Sequence, residues 1–123
     1  MKPASAKAKG RKLQQYVRDL LLTYAPSLLP DDIRSTSMGN QGEDLQLSPA
    51  ARLVYPYAIE CKNVEALNIW AALEQAESHS TIEFAPGRIG QAVPLVVFKR
   101  NHSKTYVALE LEEFLKLTRK EGV

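Results

Sequence analysis

The sequence Tyr57-Ala-Ile-Glu-Cys-Lys62 predicts a β-strand that is apolar at its start and charged at its end. Side chains alternate between the two faces of a strand. Glu60 and Lys62 therefore project from one face, and Cys61 points to the other, toward the core. The stretch predicts a carboxylate and a lysine held side by side on one face of a sheet.

Helices and further strands are predicted on both sides of this stretch. Apolar residues at helical spacing predict an amphipathic helix over residues 10–24, and Val93-Pro-Leu-Val-Val-Phe98 is typical of a strand buried on both faces. The remaining predicted elements are strands over 33–36 and 44–47, a short helix from Ser48, a long helix from 63 or 64 to 78, a loop over 81–92, a hairpin strand over 105–109 and a C-terminal helix over 110–119. This order predicts an α/β fold with a mixed central β-sheet flanked by helices.

Length and composition indicate one domain. The 123 residues are 45% hydrophobic, as expected of a protein with one core. We predict a basic flexible tail over residues 1–9 and a single domain over residues 10–123.

The single cysteine, Cys61, excludes an intramolecular disulfide, and two histidines make a structural zinc site unexpected. We find no signal peptide and no stretch near the ~20 apolar residues of a membrane span, which predicts a cytoplasmic protein.

Basic residues are concentrated at two places, although the formal net charge is only +2. They are Lys9, Arg11 and Lys12 in the first place and Lys99, Arg100, His102 and Lys104 in the second. Such clusters can contact phosphate oxygens without reading base sequence. We therefore expect DNA binding there. Ser35 and Ser37 are further candidates for phosphate contacts, with ordinary turn serines as the alternative.

Asp44 is expected to complete a site with Glu60 and Lys62, because it begins the preceding strand after a turn that contains glycines. Mg²⁺ prefers hard oxygen ligands, which the two carboxylates and the backbone carbonyl of Cys61 can supply. A bound metal acidifies a water and stabilises charge on a phosphate, and Lys62 can orient that water or neutralise the charge. The set suits phosphodiester hydrolysis. A Glu-x-Lys pair alone is common by chance, and an exposed ion pair is the alternative.

The order Gly42-Glu-Asp44, then Ile59-Glu-Cys-Lys62, then a helix carrying Gln75, resembles the PD-(D/E)XK nuclease superfamily. The resemblance covers about residues 9 to 117. Within the superfamily, the chain is similar to archaeal-type Holliday junction resolvases and small phage nucleases. The resemblance implies a restriction-endonuclease-like core.

The resemblance also implies roles for particular residues. Asp44 matches the first metal-binding acid, and Glu60 and Lys62 match the acid and lysine of the (D/E)XK element. Gln75 resembles the helix glutamine that supports the lysine or the scissile phosphate. Resolvase-like members commonly carry a glutamate on the first helix, where this chain has Gln14 and Gln15. Glu43 is the alternative metal ligand that could compensate.

The function implied by the resemblance is a Mg²⁺- or Mn²⁺-dependent endodeoxyribonuclease. The implied substrate is branched or duplex DNA. One implied biological role is the processing of phage DNA in the host cytoplasm. A Holliday junction resolvase needs two sites, so that version implies a homodimer. The rival from another class is a catalytically inactive DNA-binding or assembly protein that retains the fold.

The histidines and the tryptophan are expected to have structural positions. Neither His79 nor His102 has a metal ligand at a useful spacing, so both are predicted to be surface residues. Trp70 is predicted to lie in the core, on a helix that faces the sheet.

Overall fold

The computed structural model describes residues 3–36 and 42–119, and these form an α/β structure. The helices in these two ranges are α1 (Pro3–Thr23), α2 (Pro49–Val54), α3 (Ile69–Ser78) and α4 (Leu111–Thr118), with a 3-10 turn at Pro30–Asp32. The strands are β1 (Ile33–Ser35), β2 (Leu45–Leu47), β3 (Tyr57–Asn63), β4 (Thr81–Ala85), β5 (Arg88–Gln91), β6 (Val93–Lys99) and β7 (Tyr106–Ala108). The α/β class is thus confirmed. Within the same residues, no helix is long and apolar enough to cross a membrane.

The central sheet of the described residues has the strand order β3-β6-β7. β3 and β6 are parallel along their whole length, from Tyr57 opposite Val93 to Asn63 opposite Lys99. β7 is antiparallel to β6, which confirms the predicted mixed sheet and its closing hairpin. The apolar run of β6 is explained by its central place, because both of its faces are covered.

Two apolar clusters lie on opposite faces of this sheet. On one face, Leu13 and Val17 of α1 share a core with Ile59 and Cys61. On the other face, Ala72 and Ala76 of α3 share a core with Val96 and Phe98. The two alanines are four residues apart on one side of α3, and their small size lets the helix lie close to the sheet. Because side chains alternate along β3, Glu60 faces α3.

β1 and β2 form an antiparallel pair beside the central sheet, with Ser35 opposite Leu45. Both predicted strands are confirmed. Ile33 and Leu45 are fully buried in the cluster beneath α1, which fixes the pair against β3. The segment 37–41 between the strands, which includes the predicted phosphate contact Ser37, lies outside the described residues.

Two helices begin where the sequence did not predict. α1 begins at Pro3 rather than at Gly10, so residues 3–9, expected to form a flexible tail, are helical. Alanine and lysine are strong helix formers, and proline is tolerated in a first turn because its missing N–H needs no partner there. α3 begins at Ile69, later than predicted, because the side chain of Asn68 caps it by accepting a hydrogen bond from the Ala71 N–H.

A hairpin replaces the loop predicted over residues 81–92. β4 and β5 pair from Thr81 opposite Gln91 to Ala85 opposite Arg88. Gly87 takes a φ of +73° in the turn, which glycine adopts without steric cost. A second correction concerns Trp70, which is 75% exposed rather than buried, because alanines supply the sheet-facing side of α3.

Candidate active site

Asp44 is attached to the free edge of β3 by two hydrogen bonds. Its backbone N–H donates to the Ile59 carbonyl at 3.2 Å, and the Cys61 N–H donates to Asp44 Oδ2 at 2.6 Å. β3 is the outer strand of the central sheet, so this edge is open to such a partner. The carboxylate of Asp44 is therefore fixed beside the middle of β3, as the sequence analysis expected.

The backbone carbonyl of Cys61 leaves β3 on the same edge. The N–H and C=O groups of one residue in a strand point to the same side, and the N–H of Cys61 points to Asp44. The carbonyl is therefore available where a ligand was predicted. The Cys61 side chain lies in the core, and burial raises the pKa of its thiol, which keeps the group protonated and unreactive.

Glu60 is a buried carboxylate, with 1% of its surface exposed. Its Oε1 lies 2.5 Å from Nδ1 of His79, and its Oε2 is buried and has no hydrogen-bond partner among the described residues. Burial raises the pKa of Glu60 to about 7, and the nearby charge of Asp44 acts in the same direction. His79 and Lys62 oppose this rise in pKa by favouring the charged carboxylate.

His79 is the site residue that the sequence analysis missed. It stands at the C-terminal cap of α3, and its side chain is 23% exposed because it reaches down to Glu60. The expectation of an ordinary surface histidine was therefore wrong. Ala72, Ala76 and His79 follow one another at spacings of four and three, so His79 continues the buried row of α3. That spacing was the available signal.

Lys62 lies near Glu60, as predicted, and Gln75 is separate from them. Lys62 is half-buried, and its positive charge is close enough to lower the pKa of Glu60. Gln75 is exposed on α3, and its backbone carbonyl accepts a hydrogen bond from the Ser78 hydroxyl. The structure therefore groups Asp44, Glu60 and Lys62 with His79, and leaves the Gln75 side chain in solvent.

Glu43, the alternative metal ligand, is paired with Arg52. Its two carboxylate oxygens accept hydrogen bonds from Arg52 at 2.6 and 3.0 Å, and both side chains are nearly buried. Arg52 also donates to the Tyr57 carbonyl at 2.7 Å. The pair thus connects α2, the start of β3 and the residue before Asp44. Because both carboxylate oxygens are occupied, the geometry argues against Glu43 as a metal ligand.

Ser35 and Gln14 contact each other in the interior. The Ser35 hydroxyl donates to Oε1 of Gln14 at 2.8 Å, and Gln14 is 2% exposed. Ser35 was a candidate for phosphate contact, but its hydroxyl is directed toward α1. Gln15, the neighbouring glutamine, is exposed.

The two basic clusters meet at one groove. Lys9 and Lys12 of α1, together with Lys99 and Lys104 from the end of β6 and the following turn, line a cavity of about 760 Å³. Lys9 also lies 4.0 Å from a carboxylate oxygen of Glu65. Arg11, Arg100 and His102 are exposed. Residues far apart in sequence thus form one cationic surface, and its binding to DNA stays a prediction.

The donor set fits a hard divalent cation. Asp44, Glu60 and the Cys61 carbonyl offer oxygen atoms only, as Mg²⁺ and Mn²⁺ prefer. A buried oxygen without a partner, such as Oε2 of Glu60, is costly unless something binds it. Within residues 3–36 and 42–119, no three His, Cys, Asp or Glu side chains converge as a metal cluster. The candidate site therefore consists of two carboxylates and one carbonyl.

Comparison with known proteins found no match. No family model matches the chain, and no curated protein and no solved structure matches it either.

Proposed function

We propose that the chain is a divalent-metal-dependent endonuclease that hydrolyses DNA phosphodiester bonds. The observation that carries this proposal is the placement of Asp44. Its carboxylate is fixed at the free edge of β3, near enough to the buried Glu60 to raise the pKa of that group. Two acids held this close repel each other unless a cation or a proton lies between them.

Asp44, Glu60 and the Cys61 carbonyl would hold the Mg²⁺ or Mn²⁺ ion. When bound, the ion supplies an acidified water and stabilises negative charge on a phosphate. His79 orients the Glu60 carboxylate through the contact at Oε1, which leaves Oε2 for a ligand. Partners of this kind hold a ligating carboxylate in one rotamer.

Lys62 supplies the fixed positive charge. Lys62 projects from the Glu60 face of β3 and is half-buried as a residue, and its charge is close enough to lower the pKa of Glu60. The lysine ammonium group has three N–H donors and no acceptor. It can hold an attacking water or a phosphate oxygen, and it stabilises the negative charge that develops as the phosphodiester bond breaks.

The finer proposal is a restriction-endonuclease-like core of the PD-(D/E)XK kind acting on branched or duplex DNA. Its support is the chain order of the site residues and the cationic surface formed by the two basic clusters. A protein that cuts both strands needs two sites, so this version includes a homodimer.

A second candidate is a DNA-binding protein without catalysis. The observation that favours it is the burial of Glu60, whose carboxylate is 1% exposed and already bound to His79. A pair of this kind can persist for stability after an active site is lost. Gln14 is also buried and neutral, where resolvase-like members of the resembled superfamily commonly carry a glutamate.

Nicking of supercoiled plasmid with Mg²⁺ or Mn²⁺ separates the two candidates. We expect cutting by the wild type and a loss of about 100-fold or more in Lys62→Ala, the size typical of removing one stabilising donor. Lys116→Ala, which alters an exposed lysine of α4, is the matched control. An intact plasmid with every metal, together with a retained gel shift, would favour the binding protein.

A further inference from the structure

α4 has an apolar side that is left in solvent. None of its eight described residues is buried. Leu111, Phe114, Leu115 and Leu117 are each about half exposed or more. The first three recur at the spacing of one helical side. Glu112 borders this side, Glu113 lies on the opposite side of the helix, and Glu110 precedes the helix. α4 is therefore an acidic amphipathic helix whose apolar side has no partner within residues 3–36 and 42–119.

The cavity lined by the basic clusters is complementary to such a helix. Its floor is apolar and includes Leu13 and Val17 of α1 and Val97 of β6, and its open sides carry Tyr16 and Val107, both more than half exposed. We call this cavity the α1–β7 groove. Its volume of about 760 Å³ can hold several large apolar side chains.

The charges of the two surfaces are opposite. Four lysines line the part of the groove that the structure describes, namely Lys9, Lys12, Lys99 and Lys104, and Lys12 and Lys104 are exposed. Lys9 has a long contact with Glu65, and on α4 Glu113 pairs with Lys116. Glu110 and Glu112 bring the complementary acidic charge. Opposite charges steer association and fix the orientation of the partners.

No described residue of α4 lines the groove of its own chain. Glu113 lies close enough to Tyr57 to raise the pKa of its hydroxyl, in addition to the rise caused by burial, so α4 is located at the start of β3. The lysines surround the opposite end, where Asn63 and Lys99 close β3 and β6. At about 3.3 Å per residue, the two ends of β3 are roughly 20 Å apart.

From these contacts and charges we propose a two-fold homodimer. In it, α4 of each copy docks in the α1–β7 groove of the other copy. Mutual docking buries both apolar sides and both grooves in one closed contact. The proposal goes beyond the proposed activity and concerns residues outside the group around Glu60. In such a dimer the groove lysines face α4 of the second copy, and the exposed Arg11, Arg100 and His102 are the basic residues left for DNA.

Sedimentation velocity over a range of concentrations tests the association. We expect a dimer at tens of micromolar, and a rise in Kd of at least about 10-fold in Phe114→Asp and Leu115→Asp, since a buried charge replaces an apolar contact. Both positions are exposed in the monomer, so at concentrations below the wild-type Kd the thermal melt of each variant should match the wild type. Leu53→Asp, at an apolar residue that is 89% exposed on α2, is the control that should leave the dimer intact.

Charge exchange tests the occupant of the groove. Glu112→Lys alone and Lys104→Glu alone should each weaken the dimer, and a mixture of the two variants should associate more strongly than either one by itself. Cross-linking with a bismaleimide then identifies the copies. Leu117→Cys mixed with Tyr16→Cys should give a covalent dimer, since Cys61 is buried and does not react.

Three results would overturn the proposal. One is a monomer at every concentration up to several hundred micromolar. Another is a dimer that is unaffected by Phe114→Asp and Leu115→Asp. The third is a Leu117→Cys/Tyr16→Cys double variant that cross-links within one chain while it sediments as a monomer, which would assign the groove to the chain's own helix.

Discussion

Nδ1 of His79 lies 2.5 Å from Oε1 of Glu60, although the residues are 19 positions apart and occupy a helix end and the middle of a strand. The two atoms share a proton. Either the ring N–H donates to the carboxylate, or the carboxyl O–H donates to the ring nitrogen. Because Glu60 is buried and its pKa is raised to about 7, both forms are accessible near neutral pH. The stability of the chain therefore depends on this contact.

His79→Ala should destabilise the chain by about 1–3 kcal/mol, because it leaves both carboxylate oxygens of the buried Glu60 without a partner. Denaturant unfolding at pH 7 measures the change. His102→Asn is the control, at an exposed histidine whose φ of 64° asparagine also adopts, and should change the free energy of unfolding by less than about 0.5 kcal/mol. Equal effects of the two substitutions would show that the contact with Glu60 does not stabilise the fold.

The pH dependence of the free energy of unfolding should show the titration of Glu60. Its folded-state pKa of about 7 lies above its ordinary value of 4.5, so the folded chain binds more protons than the unfolded chain between these values. The free energy of unfolding therefore falls as pH rises from about 4.5 to 7, and this contribution is constant above that.

Glu60→Gln removes this titration. In urea unfolding with a chelator present, the variant should gain stability over the wild type as pH rises, by about 1–3 kcal/mol at pH 8. The exposed Glu110→Gln is the control and should follow the wild type. A difference between Glu60→Gln and wild type that stays constant from pH 4 to 8 would contradict the raised pKa of Glu60.

Divalent metal should stabilise the folded wild type, and this gain in stability can be measured without an activity assay. A ligand at 100 times its Kd adds about 2.7 kcal/mol to the free energy of unfolding, which a thermal melt with Mn²⁺ detects. Asp44→Asn should lose most of this gain, since a neutral amide oxygen is the weaker ligand, while it can still accept the hydrogen bond from the Cys61 N–H. If Asp44→Asn and the wild type gain equally from Mn²⁺, the ion binds elsewhere.

The gain from Mn²⁺ should also grow with pH between about 5 and 8, because the ion must displace the proton of Glu60. Isothermal calorimetry in buffers of different ionisation enthalpy can count the released proton.

Arg52→Met should be among the most destabilising changes outside the site. It leaves the nearly buried Glu43 carboxylate unpaired and removes the donor to the Tyr57 carbonyl. Breaking such a pair typically costs about 3–5 kcal/mol. Lys116→Ala breaks the more exposed pair with Glu113 and should cost less than about 0.5 kcal/mol. Similar losses in the two variants would mean that the pair of Arg52 is no stronger than a surface contact.

Much of the central sheet was predictable because its residues carry strong local patterns. The apolar runs of β3 and β6 and the polar turn before β7 indicate their own conformations. The shared face of Glu60 and Lys62 followed from strand alternation alone. Asp44 was predicted to lie near Glu60 because it was expected to begin a short strand. It directly precedes β2, and its backbone N–H and its carboxylate each form a hydrogen bond with β3.

Other features depend on contacts that the local sequence pattern indicates only weakly. The contact of His79 with Glu60 depends on where α3 ends over the sheet, and the alanines that set the helix position are not distinctive in sequence. The β4–β5 hairpin was taken for a loop because Pro86, Gly87 and Gly90 dominated its composition. Packing favours glycine at position 90, because a Cβ there would lie 2.9 Å from the Phe84 ring.

The carboxylate of Asp44 has a further consequence through its bond to the Cys61 N–H. It occupies the position on the outer edge of β3 where the carbonyl of an added strand would bind. Open strand edges invite other chains to pair with them, and a charged group on the edge opposes such growth. A charged group at this position opposes edge-to-edge aggregation, so selection for solubility would retain Asp44 whether or not the chain binds metal.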